Sequence, residues 1–156
     1  IMLGNHDMDR ITDIVKDQDA RRVKLANTLL ATMRGIPQVF YGDEYAMKSA
    51  DRRLGHSTLR MPLPLGEAVT AEMQDMFDYQ SRLFQWRKGE EVIHTGRTMH
   101  FMSRDNTYAF FRYNDNEAVF VFANASEEDR TIPTANYVEN ISKYNPVRVY
   151  VITVKT

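Results

Sequence analysis

The sequence predicts two unlike halves, a parallel α/β segment followed by an all-β domain. Three observations carry this reading. Apolar runs at Ile1–Leu3 and Ile36–Tyr41 flank a helical stripe, and a second helical stripe follows a long polar loop; strand, helix, strand, loop, helix is βα repetition. Beyond about His94 the apolar period falls from 3.6 towards 2. There the short runs are rich in β-branched and aromatic residues and are separated by Arg104-Asp105-Asn106 and Asn114-Asp115-Asn116, which are turn-forming triplets.

The elements follow in order. Ile1-Met2-Leu3-Gly4-Asn5-His6-Asp7 passes from apolar residues straight into a polar triplet, with none of the features of a signal peptide. It reads as the end of a buried strand, and a chain opening inside a strand is expected to be a piece of a longer protein. Residues Asp19 to Arg34 place Val23, Ala26, Leu29, Leu30 and Met33 on one helical stripe, with Asp19 as N-cap and Gly35 and Pro37 as stop signals. Ile36-Pro37-Gln38-Val39-Phe40-Tyr41 is a short strand of the kind buried on both faces of a parallel sheet. Lys48 to Gly66 is a long loop, and Thr70 to Lys88 is a helix displaying Met73, Met76, Phe77, Leu83 and Phe84, ended by Gly89. The β-domain comprises strands at Thr98 to Ser103, Thr107 to Tyr113, Glu117 to Ala123 and Val147 to Val154. Its middle strand is apolar on both faces, as in a sandwich core. The expected domains are 1–93 and 94–156.

Composition narrows the function classes. At 156 residues, 43% hydrophobic and 11% aromatic, the chain can bury a core and is not a disordered tail. A net charge of −1 does not fit a general nucleic-acid binder. No apolar run approaches the ~20 residues of a membrane span. The absence of cysteine excludes disulfides, thiolate metal sites and a cysteine nucleophile.

Asn5-His6-Asp7 is the chemistry candidate, because it sits at the carboxyl end of the first strand, where parallel α/β barrels build their sites. A carboxylate beside an imidazole and an amide can hydrogen-bond sugar hydroxyls and stabilise an oxocarbenium-like centre. The bland alternative makes Asp7 a helix cap and His6 a loop residue. Arg10 either orients Asp7 or is a solvated charge. Gly4-Asn5-His6-Asp7 also matches a metallophosphoesterase element, but Gly55-His56-Ser57-Thr58 supplies only half of the companion motif that chemistry requires.

A second motif decides between these. Arg34-Gly35-Ile36-Pro37-Gln38-Val39-Phe40-Tyr41-Gly42-Asp43-Glu44-Tyr45-Ala46-Met47, after Ala26-Asn27-Thr28-Leu29-Leu30, resembles the last barrel strand of the α-amylase family of glycoside hydrolases, with the Asn-His-Asp motif upstream. Asp43 and Glu44 read as loop-holding residues. Thr70-Ala71-Glu72-Met73 through Phe77-Asp78-Tyr79, Trp86-Arg87-Lys88 and Val92-Ile93-His94-Thr95-Gly96 are similar to the last barrel helix of cyclomaltodextrinases and neopullulanases of the Bacteroidetes type. Phe111-Arg112-Tyr113-Asn114-Asp115 and Val119-Phe120-Val121 are similar to their C-terminal β-domain. Trp86, Met73 and Met76 read as core. Two stretches depart from the pattern: Leu59-Arg60-Met61-Pro62-Leu63-Pro64, which replaces an Asp-Phe-Pro-Gly-Gly-Trp-like run, and Val149 to Thr156.

The resemblance implies the last βα units of a (β/α)8 TIM barrel, which typically needs ~250 residues, followed by a C-terminal antiparallel β-sandwich. It implies a retaining α-glucan hydrolase whose nucleophile and acid/base lie before Ile1, so that this piece alone is inactive. Asp7 is then the transition-state-stabilising carboxylate, and His6, Asn5 and Arg10 bind substrate. The implied partners are α-glucan oligosaccharides or cyclodextrins. No cofactor is certain, calcium and a homodimeric assembly are open for the parent enzyme, and the periplasm is favoured over the cytoplasm. A carbohydrate-binding or packing module without activity is the alternative. Incomplete barrel strands are expected to leave apolar edges exposed.

Overall fold

The computed structural model describes residues 1–144, 146 and 148–156. By packing, the chain divides into two compact units, Ile1–Ala31 with Ile36–Trp86, and Thr32–Gly35 with Arg87–Thr156.

In the first unit, a short helix α1 (Ile11–Ile14) precedes α2 (Ala20–Thr32), and α3 (Ala71–Gly89) follows the long loop. Asp19 Oδ1 accepts the Arg21 amide at 2.8 Å, the N-cap contact expected of it. The buried face of α2 is Val23, Asn27, Leu30 and Ala31, spaced i, i+4, i+7, i+8. A polar residue therefore sits on the stripe. Its partner lies on α3: Gln80 Nε2 donates to Asn27 Oδ1 at 3.0 Å, which removes the penalty of burying either amide. Thr28 and Tyr79 share a hydroxyl contact at 2.6 Å, and Lys24 meets Asp75 at 2.6 Å. Met76 is buried and Met73 half-buried, as core residues, while Trp86 is half-buried. The long loop contains 3-10 turns at Arg52–Leu59 and Gly66–Ala68.

The two expected parallel strands of this unit reduce to one parallel bridge, Met2 with Gln38. Gln38 N–H donates to Ile1 O and the N-terminal amine to Ile36 O, each at 2.8 Å. Pro37 has no N–H to extend the ladder, and Ile36, Val39 and Tyr41 remain exposed. The barrel units expected here are not established by a single bridge.

The second unit is one four-stranded sheet in the order β1 (Arg97–His100), β2 (Thr107–Tyr113), β3 (Glu117–Asn124), β4 (Arg148–Lys155). Strands β1 to β3 form an antiparallel meander, whereas β4 runs parallel to β3, with Glu117 opposite Arg148 and Asn124 opposite Lys155. Among the described residues the expected antiparallel sandwich is thus replaced by one mixed sheet. A parallel neighbour needs a long crossover, and the segment between β3 and β4 supplies it through a helix, Ala135–Ser142. Val147, the expected start of the last strand, lies outside the described residues.

Helices cover this sheet. One face packs Ala109, Phe111, Tyr113, Phe120 and Phe122 with Ile141 and Tyr137 of the crossover helix. The other buries Phe110, Val119 and Val121. On that side Arg112 donates to Ile93 O at 2.8 Å, in a short helix, Glu91–Thr95. Strand periodicity showed that both faces are buried but could not tell helices from a second sheet.

Gly96 marks a tight passage. A Cβ there would press on the carbonyl oxygens of Val92 and Tyr113, the latter at 2.9 Å. Gly96→Ala is expected to lower stability by about 1–3 kcal/mol, since backbone cannot yield as a side chain can. Gly89→Ala meets open space and should be near neutral. Urea unfolding of the two variants checks the contrast, and equal midpoints would contradict it.

Candidate functional site

The Asn-His-Asp turn is shaped by its own first residue. Asn5 Oδ1 accepts the Asp7 amide at 2.8 Å, and Asn5 O accepts the Met8 amide at 3.3 Å, an Asx turn that projects the next side chains outward. His6 Nε2 lies 3.1 Å from Asp7 Oδ2, with the two side chains 59% and 60% exposed. Arg60 Nη2, from the long loop, stands 3.4 Å from the other oxygen, Asp7 Oδ1. A carboxylate flanked by a cation and an imidazole, open to solvent, can accept hydroxyl hydrogen bonds and oppose a developing positive charge.

Arg10 is placed otherwise than expected. It neither touches Asp7 nor meets solvent, being 0% exposed. Its Nη1 donates to Tyr41 O at 2.9 Å and to Asp43 Oδ1 at 2.8 Å, and its Nη2 to Leu59 O at 2.8 Å. The guanidinium also lies over the Phe40 ring, 4.6 Å from its centroid. A side chain with no accessible surface is not a surface contact for sugar; its work is to join three segments. One of them ends at Leu59, the residue before Arg60, so the buried clamp sets where the loop cation stands.

Asp43 and Glu44 hold the loop, as their sequence context indicated. Asp43 pairs with Arg10, and Glu44 Oε2 accepts the Gly42 amide at 2.7 Å. Gly42 has φ +88°, and a Cβ there would strike Met47 Sδ and come within 3.3 Å of Arg10 Nη1, so glycine is required on two counts. Tyr41 ties the same exit to the long loop, its hydroxyl donating to Met61 O at 2.9 Å. Burial pushes the Asp43 carboxyl up to about 6, against the pull of the Arg10 guanidinium and with the help of Glu44 and Asp13.

The sequence did not single out Arg60 as a site residue. Its only signal was its position just ahead of the Pro62 and Pro64 run, where the stretch departs from the family pattern. Among the described residues no three His, Asp or Glu side chains converge as metal ligands. No helix among the described residues is long and apolar enough to cross a membrane.

Comparison with known proteins agrees with the sequence motifs. Residues 98–153 match the family model of the cyclo-malto-dextrinase C-terminal domain. A 4-alpha-glucanotransferase of Thermotoga maritima is 26% identical over 152 residues, covering 81% of this chain and 34% of the relative. A solved cyclomaltodextrinase structure superposes with a TM-score of 0.69 at 25% identity, covering 81% of this chain and 21% of that one. An alpha-amylase from Geobacillus thermoleovorans, solved with acarbose, gives a TM-score of 0.56 at 25% identity, covering 72% and 24%. The chain thus spans about a third or less of the length of these relatives, all of them α-glucan-active enzymes or their kin.

The buried pair has a pH signature. Because burial raises the Asp43 carboxyl from the ordinary carboxylate value of 3.8 to about 6 in the folded chain, the folded chain binds a proton that the unfolded chain has released between those values. The contribution of this group to stability therefore grows as pH falls from about 6 towards 4 and is lost as pH rises through 6, with a span on the order of 2 kcal/mol. Asp43→Asn removes that slope. Urea midpoints at pH 4.5 and 6.5 read the difference between variant and parent, and parallel pH profiles would contradict it.

Proposed function

From the chain's fit to a C-terminal portion of the α-amylase family, we propose that it completes the sugar-binding end of a (β/α)8 barrel in a retaining α-glucan-active enzyme. Asp7 is the carboxylate that stabilises the oxocarbenium-like transition state and holds hydroxyls of the sugar being cleaved. His6 binds the same sugar and Asn5 fixes the turn. Arg10 acts by position rather than by contact. Residues 1–93 belong to the barrel and 94–156 to the C-terminal domain. The substrates are α-1,4-linked glucans or cyclodextrins.

The observation that supports this reading is the exposed His6–Asp7 pair at 3.1 Å, set by the Asn5 turn. Hydroxyl groups of a sugar fit such a pair because each hydroxyl donates to the carboxylate and accepts from the imidazole. The positive charge that builds at the anomeric carbon is opposed by a fixed anion beside it, an interaction stronger in the transition state than in the ground state. Retaining cleavage also needs two carboxyl groups ~5–5.5 Å apart across the bond, and by resemblance neither is among these residues.

In the second unit, the candidates for a separate glucan platform are Tyr144 and Tyr150, the latter exposed on β4. Tyr144 is inclined at 44° to Tyr113 and shares Arg97 with it, which favours packing within the unit over stacking on a sugar.

In the full-length protein, Asp7→Asn should lower kcat on maltotetraose or a cyclodextrin by about 10³-fold with the fold unchanged by circular dichroism. Retention of a tenth of the parent rate would overturn the assignment. The isolated 156-residue chain should release no reducing sugar from either substrate, and measurable release would overturn the division of labour proposed here.

A further inference from the structure

Arg112 is a fully buried cation without a carboxylate. It points from the middle of β2 to the face of the sheet opposite the aromatic core, with no accessible surface. Its Nη1 donates to Thr98 Oγ1 and its Nη2 to Ile93 O, both neutral acceptors, and its Nε has no partner. Arg34 and Arg87 are the charged neighbours that bear on it, both of like sign, and with burial they pull its proton affinity down. A buried charge is ordinarily matched by an opposite one. Among the described residues none is supplied to Arg112.

A cavity of about 380 Å³ opens one side chain away. It is lined by Met33, Arg34, Gly96, Arg97, Thr98 and His100, so that Thr98, the residue Arg112 bonds to, forms part of its wall. Arg34 is exposed and makes no ion pair among the described residues. Arg97 is already engaged, with Asp115 at 2.6 Å and the Tyr113 ring at 4.9 Å. His100 bonds through Nδ1 to the Tyr108 hydroxyl. That leaves the His100 Nε2, which has no hydrogen-bond partner among the described residues, to face a ligand. The backbone adds donors. Phe101 N–H bonds Ala109 O at 3.1 Å, and in an antiparallel pair the alternate residues turn away. Thr98 and His100, opposite Arg112 and Phe110, therefore direct their amide N–H groups, and with them their carbonyls, away from β2.

We propose that this edge of the second unit is an oxyanion-binding site, built by Arg34, His100 and the β1 amides and backed by Arg112, that takes inorganic phosphate or a phosphomonoester. Separate donors arriving from several directions suit a tetrahedral oxyanion better than a single fork would. The anion supplies the negative charge that Arg34 and the buried Arg112 lack. This site is independent of the sugar site in the first unit, and its test does not involve turnover.

The experiment is calorimetric titration of the full-length protein with inorganic phosphate and with glucose 6-phosphate, in chloride at matched ionic strength. Saturable binding of either is expected. A preference for the ester identifies a phosphomonoester as the ligand, and equal binding identifies free phosphate. Arg34→Ala should weaken binding by about tenfold or more while leaving the melting temperature in chloride unchanged, and Arg34→Lys, which keeps the charge and loses the fork, should weaken it less. No saturable binding by either ligand, or binding by Arg34→Ala as tight as the parent's, would overturn the proposal.

Discussion

The first unit depends on one buried ion pair. Arg10 and Asp43 meet at 2.8 Å with almost no exposed surface, in surroundings where a lone charge would be costly and where removing one partner is worse than removing both. The pair is tolerated because the guanidinium also satisfies two carbonyl oxygens, Tyr41 O and Leu59 O. These belong to the exit of the Ile36–Tyr41 segment and to the long loop, which are remote in sequence and are also joined by the Tyr41 hydroxyl's bond to Met61 O. The constraint reaches the surface: with Leu59 fixed, Arg60 stands beside Asp7, and with Gly42 held against Arg10 the chain turns where no other residue would fit. The exposed His6–Asp7 turn and Arg60 are thus arranged by a contact with almost no exposed surface of its own.

What the sequence revealed, and what it withheld, follows from how local each determinant is. The helices at Ala20–Thr32 and Ala71–Gly89 and the strands at Thr107–Tyr113 and Glu117–Asn124 have boundaries written in caps, turns and periodicity, which act over a few residues. The direction of β4 is not local. It is set by a crossover of more than twenty residues, and nothing in an alternating apolar run distinguishes a parallel neighbour from an antiparallel one. In the same way, the apolar run Ile36–Tyr41 showed what a strand would be made of, while the ladder that defines a strand requires partners, and it pairs here at one bridge.

The site divides along the same line. Asn5, His6 and Asp7 are contiguous, and their turn is closed by Asn5 itself, so its shape follows from neighbouring residues alone. Arg10 is three residues away, and its meaning depends on Asp43 and Leu59, thirty-three and forty-nine positions downstream. An arginine in a polar loop reads as solvated until its partners are in place. Arg60 was hidden for a related reason, since only the fold brings residue 60 to residue 7. Asn27 shows the converse, a polar residue on a helix face that is core because Gln80 answers it.

The last strand carries a consequence for solubility. Among the described residues strand β4 pairs on one side, with β3, and Val149, Tyr150 and Val151 on it are exposed, Val151 to 64%. Six uncharged residues of high β-propensity with a free row of amides and carbonyls are a template for a second strand. The strand is bounded by Arg148 and Lys155. An antiparallel copy centred between Val151 and Ile152 would set each Arg148 against the other copy's Lys155, so that two pairs of like charges close the register that best buries the apolar centre. The charged ends of the strand thus oppose the register that would best bury its middle, although Lys155 is also paired with Asp129 at 2.5 Å.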